Sequence, residues 1–277
     1  MTGQERGPSS VDPQPAPRID TSVAHPARRY DYWLGGKDNF AADRESGDAV
    51  AAVFPTIRIA AVENRRFLLR AVTVLVGQAG IRQFLDIGTG IPTSPNVHEV
   101  AQAVVPTARV VYADNDPIVL VHARALLTSS AEGATAYVDA DLREPGKILA
   151  DAELRRTLDL SQPVALMLGA ILHFIPDGAD PYGIVSELLD ALPSGSYLVA
   201  SHATGDYFSP QTIAEIAGGR HGPFWPRTRA EFARFFDGLE LLSPGIVPVA
   251  EWRAEDEAQP RPTAADTAVY AAVARIP

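Results

Sequence analysis

Hydrophobic and polar positions follow two rhythms along this chain, and the change falls near residue 80. Before it, apolar side chains recur at helical spacing. Val62, Leu68, Leu69, Val72, Leu75 and Val76 form one stripe, and residues 21–76 read as mostly helical. Gly77 and Gly80 close that helix and lead into a strand. From residue 82 onward, short apolar runs alternate with helical segments. Gln83–Ile87 is a buried strand ending in Gly88-Thr-Gly90, and a helix follows at about Asn96–Val105. Arg109–Ala113 is the second strand and ends at Asp114. Asp116-Pro117 then supplies an N-cap with proline at the first helical position. Thr135–Val138 is the third strand, followed by Asp139-Ala-Asp141 and a helix near Ile148–Thr157. Val164–Leu168 and Tyr197–Ser201 are the fourth and fifth strands, separated by a helix capped at Asp180-Pro181. A helical insert spans about 205–237 and includes the capping box Thr228-x-x-Glu231. Two terminal strands close the chain, Leu239–Leu242 (extending toward Val249) and Ala268–Ala274.

Five strand–helix alternations with short connections predict an α/β fold, doubly wound, with a mostly parallel sheet and helices on both faces. Residues 1–18 read as a disordered arm, 19–80 as an N-terminal helical cap and 81–277 as the sheet domain. The arm holds four prolines among its first seventeen residues, with no apolar core of a secretory signal. No apolar run approaches the roughly 18–20 residues of a membrane span. The chain is therefore expected in the cytoplasm, with no membrane partner.

Composition narrows the chemistry. There is no cysteine, which excludes disulfides, thiolate metal centres and a cysteine nucleophile. We assign no metal site. The net charge of −10 argues against a nucleic-acid partner. Arg18, His25, Arg28, Arg29 and Lys37 cluster near the N-terminus, and we read them as a solvated, mixed-charge surface.

Three strand ends carry candidate ligands. Gly88 and Gly90 follow strand one and precede a helix, where backbone can approach a bound molecule closely. A dinucleotide loop needs a third glycine at 93, and this chain has Thr93. Pro92 also removes an N–H that a diphosphate would use. Asp114 lies 24 residues after Gly90, near the spacing expected of a carboxylate that accepts both ribose hydroxyls. Asp141 is placed to accept from an adenine amino group, with Leu142 offering an apolar face and a backbone N–H. His173 follows strand four and His202 follows strand five, so both are expected at the reactive end of the crevice as candidate bases.

Phe84-Leu-Asp-Ile-Gly-Thr-Gly90, Val110-Val-Tyr-Ala-Asp-Asn-Asp-Pro117 and Asp139-Ala-Asp-Leu142 resemble successive motifs of class I S-adenosylmethionine (SAM)-dependent methyltransferases. Val164–Pro176, Leu192–Leu198 and the ending Tyr270–Arg275 are similar to their later motifs. Ala27–Arg44, ARRYDYWLGGKDNFAADR, resembles the signature of an actinobacterial SAM methyltransferase family long catalogued as a domain of unknown function. The resemblance spans about residues 20–277. It implies a seven-stranded Rossmann-like methyltransferase fold, SAM as cofactor and an acceptor that is a small molecule.

It further implies that Gly88 and Gly90 lie beside the methionine part, Asp114 and Asn115 at the ribose, and Asp141 with Leu142 at the adenine. Asp86 would order the loop. Tyr30 belongs to a segment placed to close the site, with Lys37 or Arg65 pairing the methionyl carboxylate. Gly169 stands where many relatives carry an acidic or polar residue. A SAM-binding regulator without turnover and a nicotinamide oxidoreductase remain the alternatives.

Overall fold

The computed structural model describes residues 19–126, 129–217 and 223–277. Three helices open it: α1 (Pro26–Trp33), α2 (Ala41–Val53) and α3 (Ile57–Gly77). The sheet domain then runs β1 (Gln83–Ile87), α4 (Val97–Val104), β2 (Arg109–Asp114), α5 (Pro117–Leu126) and β3 (Ala134–Asp139). It continues through α6 (Pro145–Ala150), α7 (Ala152–Thr157), β4 (Ala165–Gly169), α8 (Pro181–Asp190) and β5 (Tyr197–Ala203). The insert carries α9 (Pro210–Ala217) and α10 (Arg229–Ala233). The chain ends in β6 (Glu240–Leu241), β7 (Val247–Pro248), α11 (Ala264–Thr267) and β8 (Val269–Arg275). The arm predicted for residues 1–18 lies outside the described residues, and no described helix is long and apolar enough to cross a membrane.

The sheet order is β3-β2-β1-β4-β5-β8-β6, with β7 also on β8, so the described sheet has eight strands rather than seven. The extra strand comes from the segment 239–249. It divides at Pro244-Gly245, where Gly245 has φ +85° and its N–H bonds Leu242 O at 2.8 Å. β1 to β5 are parallel, while β8 runs antiparallel to β5 with Val269 opposite Ala203. The helix expected at 148–157 is two, because Asp151 accepts from the Glu153 and Leu154 N–H groups and restarts the helix as an N-cap.

Both faces of the sheet are covered, so successive residues of one strand feed two cores. Leu85, Ile87, Val111 and Leu166 pack against the side of α6, α7 and α8. Phe84, Val110, Tyr112 and Met167 face α3 and α4, where Phe67 meets Trp252 edge to face at 5.4 Å. Each fully buried aromatic side chain contributes about 1.5–3 kcal/mol through burial. The carboxyl ends of the parallel strands share one edge, and the order reverses between β1 and β4, which opens a crevice there.

Candidate functional site

At the end of β1, Gly88 has φ +73°, and a Cβ there would stand 2.0 Å from the Ile171 Cδ1. Glycine is thus demanded both by the left-handed backbone and by close packing. Gly90 is also left-handed, φ +68°, and its N–H donates to Asp114 Oδ2 at 2.9 Å. Asp114 Oδ1 accepts from the Asp116 N–H at 2.9 Å. One carboxylate at the tip of β2 therefore holds the turn after β1 against the turn after β2. Burial raises the Asp114 pKa above the usual carboxylate value, opposed by those two backbone N–H groups. Beyond β3, Asp141 bonds Arg143 Nε at 2.9 Å and Asn115 Nδ2 at 3.0 Å. The Arg143 contact is the main reason its pKa falls to about 2.

These groups line one cavity of about 490 Å³, within the usual size range of small-molecule sites. Its floor follows the carboxyl edge from Asp141 and Leu142 past Asp114, Asn115, Gly88 and Gly90 to Gly169, Ala203 and Val269. At about 4.8 Å per strand, β3 to β8 covers roughly 24 Å, enough for two small molecules side by side. The far end is apolar, with Phe54, Ile57, Phe208, Ile216 and Phe224 packed around Ala60 and Ala268. Phe54 and Phe208 meet edge to face at 4.9 Å.

Asp86 lines the cavity beneath Gly88 and is buried. That burial pushes its pKa up to about 6, against the pull of Arg65 and a hydrogen bond from Thr89. Arg65 Nη2 donates to Thr93 O and, at 2.5 Å, to Pro95 O, so it braces the loop containing Pro92 while lining the cavity. Lys37, paired with it in the sequence reading, is exposed and does not line the cavity. It sits beyond the end of α1, in the turn of Gly35 and Gly36. That expectation is corrected.

α1 lies across the cavity and contributes His25, Ala27, Arg29, Tyr30 and Trp33 to its wall. Tyr30 Oη donates to Ala61 O at 2.9 Å and accepts from Asn64 Nδ2 at 2.9 Å. Asn64 Oδ1 in turn accepts from the Ser201 hydroxyl at 2.5 Å, which ties α1 through α3 to β5. Arg28 and Arg29 are buried, not solvated as their cluster suggested. Arg28 pairs with Asp116 at 3.4 Å and Asp43 at 3.7 Å, and the His25 ring lies 2.9 Å from Asp116. The other Asp116 oxygen accepts from the Ile118 N–H at the start of α5. Asp116 is thus both helix cap and clasp for α1.

The two histidines part company. His173, in the turn Leu172–Phe174 after β4, lines the cavity and packs 5.4 Å from Phe224. Its Nδ1 accepts from the Ala203 N–H at 3.3 Å, which assigns the ring proton to Nε2. Burial, reinforced by the positive charges of Arg227 and Arg29, pushes its pKa well below the ordinary imidazole value. His202 does not line the cavity, a second correction. Strand alternation turns Ser201 toward Asn64 and His202 to the opposite face, among Phe232 and Phe235. There its Nδ1–H donates to Ala203 O at 2.7 Å and its Nε2 accepts from Arg227 at 2.9 Å. Burial lowers its pKa to about 3, so it is a neutral structural bridge.

Asn64, Arg29 and the aromatic wall were not singled out from sequence as site residues. Asn64 left a faint signal, a polar residue on the inward stripe of α3. The wall left none, because Phe54, Phe208 and Phe224 are scattered and meet only in the fold.

A family model described as S-adenosyl methyltransferase matches residues 12–277. The chain belongs to that family. Its cofactor is S-adenosyl-L-methionine, and the nicotinamide alternative falls away. A DUF574 family protein from Streptomyces avermitilis is 52% identical, with a TM-score of 0.88, over 94% of this chain and 100% of its own. A candidate methyltransferase from Thermobifida fusca is 42% identical, with a TM-score of 0.85, over 96% and 99%. Magnesium protoporphyrin IX methyltransferase from Synechocystis, solved with bound S-adenosylhomocysteine, is similar in fold alone, at 14% identity, TM-score 0.50, over 89% and 91%. No curated protein matches this methyltransferase chain.

Proposed function

We propose that this methyltransferase acts on a small-molecule acceptor held beside His173, with the SAM adenosine over β1, β2 and β3. The supporting observation is the continuity of the cavity. Asp141, Asp114 and the Gly88–Gly90 turn line the same space that runs on to Gly169, His173 and the aromatic wall. The residues suit the donor. Asp114 offers a carboxylate to a ribose diol, Asp141 and the Leu142 N–H address an adenine edge, and no diphosphate cradle is present beside Pro92. A Cβ on Gly90 would find only Ala27, at 4.0 Å, so the turn leaves room on that side. Arg65 is the cavity cation suited to the methionyl carboxylate, and Tyr30 with α1 covers the site.

When bound, SAM supplies an electrophilic methyl on a sulfonium, displaced in line by the acceptor atom. The chain's own part is positioning and the exclusion of water. α1 covers one side of the cavity, and Asn64 ties it through Tyr30 and Ser201 to β5. His173 carries its proton on Nε2 and is kept neutral, so it serves as a hydrogen-bond donor that orients the acceptor.

Calorimetry with S-adenosylhomocysteine and, separately, NADH tests the donor assignment. One-to-one binding of the former and none of the latter is expected. Binding of NADH alone would overturn the reading.

A further inference from the structure

The acceptor end of the cavity has an uneven distribution of charge. Its walls are Val50, Phe54, Ile57, Phe208, Ile216 and Phe224, against which an aromatic or branched apolar body would pack. The carboxylates that line the cavity lie at the opposite end, Asp86 within β1, Asp114 at the end of β2 and Asp141 beyond β3. Beside the hydroxyls of Thr204 and Thr267, a cation and a ring N–H line this part of the cavity. Arg29 enters from α1, buried to 6% exposure, with Nη1 on Ser46 Oγ at 3.1 Å and Asp43 behind it on α2. His173 enters from the turn after β4, edge-on to Phe224, its Nδ1 already committed to the Ala203 N–H.

This arrangement discriminates among acceptor chemistries. A phenol or alcohol must lose a proton during transfer, and the imidazole on this wall presents N–H rather than a lone pair. An amine arrives protonated at neutral pH and meets the Arg29 cation, with no carboxylate lining this end of the cavity to receive its proton, among the described residues. A carboxylate needs no base and is attracted by Arg29. Its reaction with a sulfonium also extinguishes both charges, and a largely apolar wall favours a charge-neutralising step.

Resting on the SAM reading above, we propose that the acceptor is a small apolar carboxylic acid. Its hydrocarbon body lies against Phe54, Phe208 and Phe224, its carboxylate faces Arg29 and His173, and it is methylated on oxygen. A lone pair of the carboxylate oxygen forms the new O–CH3 bond. The S–CH3 bond breaks with its electron pair left on sulfur, giving a methyl ester and S-adenosylhomocysteine, and no proton changes place. Arg29 then selects for charge and the aromatic wall selects for shape.

The test loads the full chain with S-adenosylhomocysteine and titrates phenylacetate, its neutral isostere phenylacetamide, and phenethylamine by calorimetry. Phenylacetate is expected to bind at least tenfold more tightly than the amide, with the amine weakest. Arg29→Met should erase that preference while S-adenosylhomocysteine affinity stays within twofold, and Arg29→Lys should keep part of it. Equal affinities, no binding of any of the three, or a preference that survives Arg29→Met overturns the proposal. With methyl-tritiated SAM, product label must become volatile methanol after alkaline hydrolysis, and label that stays non-volatile also overturns it. Failure of S-adenosylhomocysteine itself to bind would count against the donor site instead.

Discussion

Asp114→Ala separates the loop-holding role that the structure shows for this carboxylate from the ribose-binding role proposed for it. In the free protein its oxygens accept from the Gly90 and Asp116 N–H groups, each at 2.9 Å. Charge-assisted bonds of this kind contribute about 1.5–3 kcal/mol each when the donor is otherwise stranded. Asp114 lines the cavity, so water can replace it at both donors, and the net stability loss is reduced to about 1–2 kcal/mol in all. At about 2–4 °C per kcal/mol for a chain of this size, the melting temperature should fall by about 2–8 °C. Donor binding suffers separately. Loss of the acceptor for two ribose hydroxyls should weaken S-adenosylhomocysteine by about 1–3 kcal/mol, or roughly 5- to 150-fold. Thermal unfolding of the free protein and calorimetric titration of the ligand read the two effects independently. A lower melting temperature with unchanged affinity would refute the ribose assignment while leaving the loop-holding role intact. Unchanged values in both assays would refute both roles.

Asp86 gives a prediction in pH. Its folded pKa, about 6, lies above the ordinary 3.8, so the stability it confers is present in full below about pH 4 and is lost as pH rises through 6. Two units correspond to at most about 3 kcal/mol, and Asp86→Asn should therefore raise the melting temperature at pH 8 and much less at pH 4.5. An equal shift at both pH values would show that the carboxylate is not held in this way. Gly88→Ala should cost about 1–2 kcal/mol for the left-handed backbone and about 1–3 more for displacing Ile171. In urea unfolding, the cost of Gly88→Ala measured against an Ile171→Ala background should keep the first part and lose only the second. No cost in that background would mean that the backbone conformation carries no strain.

Legibility in the sequence followed the physics of each element. β1 matched its predicted bounds because five buried residues stand between two glycine turns, and α5 began at Pro117 because Asp116-Pro117 is a strong local start signal. The mostly parallel, doubly wound sheet followed from strand–helix alternation. The split of 148–157 into two helices was hidden because Asp151 is polar in a solvent-facing stretch, where a cap and a surface residue look alike. β6 and β7 are two residues each, too short for any periodicity, and exist because β8 offers its edges.

Cavity-lining residues held by backbone geometry at strand ends were readable, Gly88, Asp114 and Asp141 among them. Those whose role depends on which face of a strand is buried were not. Ser201 and His202 are neighbours, yet one joins the network of Asn64 and the other the cluster of Phe232. Arg28 and Arg29 look like surface cations in sequence, and only the clasp at Asp116 and Asp43 shows why they are tolerated inside.

The cavity assigns its two halves to different stretches of chain. In the proposed reading, strand tips between residues 86 and 142 furnish the donor end, whereas Phe208, Ile216 and Phe224 of the insert furnish half of the apolar wall opposite, beside Val50, Phe54 and Ile57. Changes of side chain in the insert can therefore alter what is modified without disturbing how the methyl source is gripped. A lineage built on this scaffold is free to diversify its chemistry by editing one short stretch of chain, while Gly88, Asp114 and Asp141 stay as they are.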